Sequence, residues 1–149
     1  MNLSNQGRRK MHGFTLIELM IVVAVIAIIT AIAVPSYQRQ VMRSKRSDAL
    51  VALQQVAAAQ ERFYAINSRY STNADPFAAT DDIDSPEALY TVAVDINAAG
   101  TTYTATASPA DGGSQEADTH CASFTLTNTG VKGSTGTYND DGEGAMCWR

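Results

Sequence analysis

Two cysteines, two histidines, four prolines and one tryptophan in 149 residues leave little material for the chemistries that depend on them. With only His12, His120, Cys121 and Cys147 available, no ligand set at zinc spacing can be assembled. No nucleophile, base and orienting acid come together either. The one histidine beyond the first thirteen residues, His120, adjoins Cys121, where a histidine is structural far more often than catalytic. The sequence thus argues against an enzyme and calls for no cofactor and no metal. Basic residues are also scarce distally: residues 70–149 hold Lys132 and Arg149 against twelve acids, a charge of −10. Such a surface repels phosphates and speaks against general nucleic-acid binding by the globular part.

Acids are missing from the other end. None occurs among the first thirteen residues, which carry Arg8, Arg9 and Lys10. Residues 14–34, FTLIELMIVVAVIAIITAIAV, then contain a single charge, Glu18. A run of this length crosses a bilayer as a helix, and the positive-inside rule keeps the basic end in the cytoplasm. The remainder of the chain is then exported, to a compartment in which disulfides persist, so Cys121 and Cys147 are expected to pair. Closing that loop of 27 residues stabilises the fold by roughly 3–4 kcal/mol in the chain-entropy account.

Past Pro35 the stretch up to Ile66 is rich in helix formers, with Ala49, Leu53, Val56, Gln60 and Phe63 at three-four spacing and Leu50, Ala57 and Tyr64 beside them. A helix from Phe14 to about Tyr64 would be about 75 Å long, far more than a bilayer requires. Pro35 inside it predicts a kink, read either as an assembly hinge or as a bend at the membrane surface. Arg39, Arg43, Lys45 and Arg46 are the only cluster able to form a basic patch, for lipid headgroups or a solvated face in the first instance and for DNA in the second.

Residues 67–87 read as a long loop packed by Tyr70 and Phe77. Leu89–Ile96 and Thr102–Ser108 alternate in character and form a hairpin through Gly100. Ala122–Thr127 is a third strand, and a weak fourth lies near Val131–Tyr138, interrupted by Gly133 and Gly136. The fold class is therefore α+β: a long helix on an antiparallel sheet of three or four strands spanning 88–149. The acidic turn Asn139-Asp140-Asp141-Gly142-Glu143 could hold calcium, but it does not have the alternating ligands of a dedicated calcium loop and reads first as solvated.

Glu18 needs a reason to be in the apolar run. A charge at a bilayer centre costs about 2.5–3.5 kcal/mol on insertion scales, less near an interface, and usually marks a function. Cleavage between Gly13 and Phe14 would create an ammonium four residues from the carboxylate, and the amine of one copy could meet Glu18 of the next. The plainer alternative is that Glu18 caps the helix start.

The whole stretch GFTLIELMIVVAVIAIITAIAVPSY, residues 13–37, resembles the prepilin leader junction and N-terminal helix of type IV pilins, with a short leader (residues 1–13) of the type IVa kind. The resemblance implies prepilin-peptidase cleavage after Gly13, N-methylation of Phe14, an assembly role for Glu18 and a helix-kinking Pro35. It also implies a pilin fold, with residues 14–34 as membrane and assembly helix, 35–66 as its amphipathic half, and a disulfide-bounded loop, 121–147, near the carboxyl end. Partners would be other pilin subunits, the peptidase, an inner-membrane assembly platform and the membrane before assembly. Localisation would pass from the inner membrane to an extracellular pilus. The ending Met146-Cys147-Trp148-Arg149 is similar to PilE-like minor pilins. The function implied is a structural pilus subunit serving twitching motility, adhesion or DNA uptake. A type II secretion pseudopilin and a pilus-tip module for a surface ligand are the alternatives. A third possibility, ordinary signal peptidase acting at Ala31-Ile32-Ala33, conflicts with Glu18 inside the run and Pro35 close behind the cut.

The junction can be tested by itself. Replacing Gly13 by phenylalanine should leave an uncut, unassembled precursor on a gel, and normal processing would dismiss the proposed cleavage position.

Overall fold

The computed structural model describes residues 14–137 and 147–148, so Gly13, the acidic turn 139–143 and the end of the fourth expected strand lie outside the described residues. The chain divides into two compact units, Met1–Gln38 and Arg39–Arg149. One helix, α1 (Leu16–Asn67, 52 residues), runs through both.

In the first unit the described residues are exposed and, over Leu16–Val34, almost wholly apolar. The helix is long and apolar enough to cross a membrane. Thr30 satisfies its hydroxyl on the carbonyls of Ile26 and Ala27, at 2.9 and 3.1 Å, so it presents no unpaired polar group to a lipid-like medium. Pro35 stands inside α1 and does not end it. One missing N–H is tolerated where many residues on either side propagate the helix.

In the second unit α1 covers an antiparallel sheet in the order β1-β2-β3-β4-β5. The strands are β1 (Ile83–Asp84), β2 (Tyr90–Ile96), β3 (Tyr103–Pro109), β4 (Ser123–Thr127) and β5 (Lys132–Thr135). Five strands replace the expected three or four. The extra one, β1, falls in the segment read as loop because two residues have no period to detect; only its pairing of Ile83 with Val92 identifies it. β5 forms despite Gly133, and because of it: a Cβ there would stand 2.5 Å from the Thr125 hydroxyl across the ladder.

Alternation along β2, β3 and β4 sends Tyr90, Val92, Val94, Tyr103, Ala105, Ala107, Phe124 and Leu126 inward. They meet the helix stripe Ala49, Ala52, Leu53 and Val56. Full burial of side chains such as Leu53 or Val56 is worth about 1.5–3 kcal/mol each. The other sheet face is a field of hydroxyls, with Thr91 opposite Ser108, Thr104 opposite Thr127 and Thr106 opposite Thr125.

Polar residues fasten the near end of this helix segment. Arg46 is buried and forms a two-pronged pair with Asp118, at 2.6 and 2.9 Å. Asp48, also buried, accepts from the Ser85 hydroxyl and from the Glu87 N–H at 3.0 Å. Gln115 donates to the Tyr90 hydroxyl at 2.8 Å and to the Met42 carbonyl at 3.2 Å. Arg46 thus leaves the expected basic patch, and Lys45 donates to the Ser114 hydroxyl at 2.9 Å. Cys121 and Cys147 are joined in a disulfide and buried, next to this network through Asp118, as expected.

Because Arg46 is buried, removing its partner strands a charge. Asp118→Ala should lower unfolding free energy by about 3–5 kcal/mol, whereas the double replacement Arg46→Met with Asp118→Leu should recover most of the loss. Equal denaturation midpoints for Asp118→Ala and the parent would dispose of this account.

Candidate functional site

Two regions concentrate polar, charged and aromatic groups: the start of α1 and the far end of the same helix with its succeeding loop.

At the start, Thr15 and Glu18 form a reciprocal cap. The Thr15 N–H and hydroxyl donate to the Glu18 carboxylate at 3.2 and 3.1 Å, and the Glu18 N–H donates to the Thr15 hydroxyl oxygen at 3.3 Å. This is a capping box, which satisfies helix N–H groups otherwise unpaired and suits the positive end of the helix dipole. Glu18 therefore does cap the helix start within its own chain. Phe14, just before it, is 89% exposed.

At the far end, α1 terminates at Asn67, and Ser68 takes a left-handed conformation (φ 55°) with its N–H on the Tyr64 carbonyl at 2.8 Å. That single reversal is a common helix ending, and it turns Arg69 and Tyr70 back along the helix. Gln60, fully buried, holds the returning chain: its side-chain amide donates to the carbonyls of Ser71 and Asn73 and its oxygen accepts from the Ser71 N–H. The β2–β3 turn closes on the same segment through the Gly100 carbonyl, which accepts from the Tyr70 N–H at 2.8 Å. Gly100 has a φ of 67°, and a Cβ there would lie 3.3 Å from the Arg69 Cβ. Glycine is thus favoured by the left-handed conformation, and a side chain there would also press on Arg69.

Aromatic rings fill the corner. Tyr70 stacks on Tyr64 with centroids 4.5 Å apart and meets Tyr103 edge-on at 4.8 Å. Burial, and after it the Glu61 carboxylate, push the Tyr103 hydroxyl up to about 12, so it is uncharged at physiological pH. The Tyr70 hydroxyl donates to Glu61 at 3.0 Å. Phe77 departs from expectation: it does not pack the loop but stays 56% exposed. Asp75 positions it by accepting from the N–H groups of Phe77 and Ala78. Its ring meets Phe63 edge-on at 6.0 Å, and the Arg62 guanidinium lies 5.8 Å from its centroid. Between Phe63, Arg69, Tyr70, Ser71, Thr72 and Ile96 is a half-open cavity of about 190 Å³.

Arg62 and Arg69 are both exposed there, bracketing Phe63 and Phe77. Spacing gives no sign of this pair, because two arginines seven positions apart form no run. A signal does lie in the count, since beyond Arg46 the sequence holds only Arg62, Arg69, Lys132 and Arg149 as cations. His120 takes no part; it is exposed, with Nδ1 2.9 Å from the Thr137 hydroxyl. Among the described residues no group of acids, histidines or cysteines could hold a metal ion.

Residues 35–125 match the family of the type IV minor pilin ComP, DNA uptake sequence receptor, and residues 8–34 match the prokaryotic N-terminal methylation motif. The chain belongs to this family of type IV minor pilins. It is similar to the type IV major pilin protein PilA of Myxococcus xanthus, 50% identical over 60 residues that cover 40% of this chain and 27% of PilA. A probable minor fimbrial protein of Dichelobacter nodosus is 48% identical over 54 residues, 36% of this chain and 34% of the relative. The chain therefore spans only about a quarter to a third of the length of these relatives. A solved type IV pilin from Shewanella oneidensis aligns at a TM-score of 0.46 with 24% identity, over 61% of this chain and 89% of that one. Within the minor-pilin chain, the methylation-motif match overlies the apolar helix, and the minor-pilin match overlies both the polar fastenings and the Arg62–Arg69 corner.

Proposed function

We propose that this minor pilin is a subunit of a type IV pilus and contacts DNA at the Arg62–Phe77–Phe63–Arg69 face. Support for the subunit role comes from the motif match over residues 8–34 and from an apolar helix left exposed by its own fold. In this reading prepilin peptidase cuts after Gly13, Phe14 becomes the methylated amino terminus, and an inner-membrane platform draws the helix from lipid into contact with neighbouring subunits. Pro35, near the end of the apolar run, serves as the hinge in that transfer.

The cap gives Glu18 a place to wait. In lipid its carboxylate is satisfied by Thr15; in a filament it meets the new amine of a neighbouring Phe14, an ion pair that removes two charges from an apolar bundle. Glu18→Gln retains most of the cap and loses the charge. It should insert in the membrane normally and enter filaments poorly, as read by fractionation and filament immunoblotting. Wild-type incorporation would remove the pairing from the mechanism.

The family's description as a DNA uptake sequence receptor is the observation that favours DNA over other surface ligands. The acidic distal surface restricts where a phosphate can approach, and the Arg62–Arg69 corner supplies both cations and π surface, the combination that single strands and helix ends use. Only two phosphates need be neutralised, so the logarithm of the binding constant should fall with the logarithm of salt at a slope of about −2. Each of Arg62→Ala and Arg69→Ala should bring that slope down by about one, measured by anisotropy of labelled DNA on the full chain in detergent. A slope indifferent to both substitutions would place the contact elsewhere. A type II secretion pseudopilus role and an anchored tip module remain as the alternative readings, and no described feature favours either over the pilus subunit.

A further inference from the structure

We infer that Arg39 and Arg43 form a clamp for the phosphates of anionic phospholipids, so that headgroups hold the subunit until it is withdrawn into a filament. This rests on the reading that the apolar run lies in lipid before assembly. Of the four cations of the expected basic patch, the fold removes two: Arg46 is buried on Asp118, and the Lys45 ammonium donates to the Ser114 hydroxyl at 2.9 Å. Arg39 and Arg43 stay exposed, both in the second unit. Four positions apart on α1, they share one face, where like charges repel. No acid on the helix relieves them, since none occurs between Glu18 and Asp48, and Asp48 is buried on Ser85. Two acids of the loop beside Lys45 are also engaged, Glu116 with the Gly112 N–H and Asp118 with Arg46. An anion received between the two guanidinium groups removes the repulsion, and each guanidinium can grip phosphate oxygens in pairs.

Position selects the anion. Residues 14–34 rise about 31 Å as helix, enough to cross the roughly 30 Å hydrocarbon core, and the headgroup layer takes about 5–7 Å more, little over one turn. Arg39 lies five positions past Val34 and Arg43 nine. Helical Cα–Cβ bonds tilt toward the amino end, so the long arginine stems lean back toward the bilayer and can lay their heads among phosphates. Tyr37, 71% exposed in the first unit, stands where interfacial aromatics gather. The acidic residues 70–149 are repelled by an anionic surface, which leaves the arginine pair to meet it. Nucleic-acid phosphates would suit the same two cations, but DNA reaches this depth only beside a bilayer of its own charge, whereas lipid phosphates stand there continuously. Withdrawal of the helix from lipid must break these contacts.

The test uses the full chain in neutral detergent micelles, with Arg8, Arg9 and Lys10 changed to glutamine so that the amino-terminal cations do not contribute. Phosphatidylglycerol or phosphatidylcholine is titrated in, and bound lipid is read by native mass spectrometry. Phosphatidylglycerol should bind the tighter of the two. Arg39→Gln and Arg43→Gln should each weaken it about 5-fold and leave phosphatidylcholine unchanged. Lys45→Gln should change little, because that ammonium is already engaged by Ser114. Thermal melting of the variants checks that the fold is kept. Equal affinity for the two lipids, or a preference unmoved by both arginine substitutions, would overturn the clamp; retention of the chain in phosphatidylcholine vesicles after a carbonate wash would leave the membrane reading in place. Loss of the chain from those vesicles would overturn the membrane reading and this inference together. Weakened DNA binding in Arg39→Gln and Arg43→Gln, with phosphatidylglycerol binding unchanged, would assign the pair to DNA and overturn it as well.

Discussion

The globular unit depends on one constraint: a helix whose inward stripe is mostly small residues must cover a sheet whose inward residues include Tyr90, Tyr103 and Phe124. Ala49, Ala52 and Ala59 let the helix lie close, and Leu53 and Val56 fill the centre. Large rings on the sheet then occupy the space that small helix residues leave, an interlocking of large against small that gives interiors their density. Apolar contact of this sort is not directional. It permits the helix to slide or rotate unless something specifies its register.

Specification comes from polar groups at both ends of the stripe. Arg46 with Asp118 and Asp48 with Ser85 hold one end, and Gln60 holds the loop at the other. Each pairing has fixed geometry and a high penalty when broken, because the groups are buried. The disulfide adds a covalent tie at Cys121, whose N–H also approaches Asp118. The register of the helix on the sheet is thereby coupled to the position of the carboxyl-terminal tie, while Gln60 and the Gly100 carbonyl hold Ser71 and Tyr70 at the other end.

The amino-terminal half of α1 works under an opposite rule. Its large apolar side chains stay exposed in the fold of their own chain, and its one acid is satisfied locally by Thr15. A helix finished in its own hydrogen bonding and unfinished in its packing suits an environment supplied by other molecules, such as the lipid and neighbouring subunits of the proposed assembly. That is the physical content of belonging to a pilin family, and it explains why one chain carries a stripe that faces inward and, a few turns earlier, an apolar surface that faces outward all round.

Sequence alone determined what depends on neighbours along the chain. The apolar run, the capping Glu18 at its start, the helix stripe and the alternation in β2, β3 and β4 all come from local spacing, and the disulfide was read from two cysteines in a region expected to be exported. Only the tertiary structure decided what depends on distant residues: the burial of Arg46 against Asp118, seventy-two positions away, the two-residue β1, the exposure of Phe77, and the meeting of Phe63 and Arg69 with Ile96. A charged or aromatic side chain has no intrinsic preference strong enough to place it. Its position is set by whichever partner the folded chain brings within reach, and no periodicity records that partner in advance.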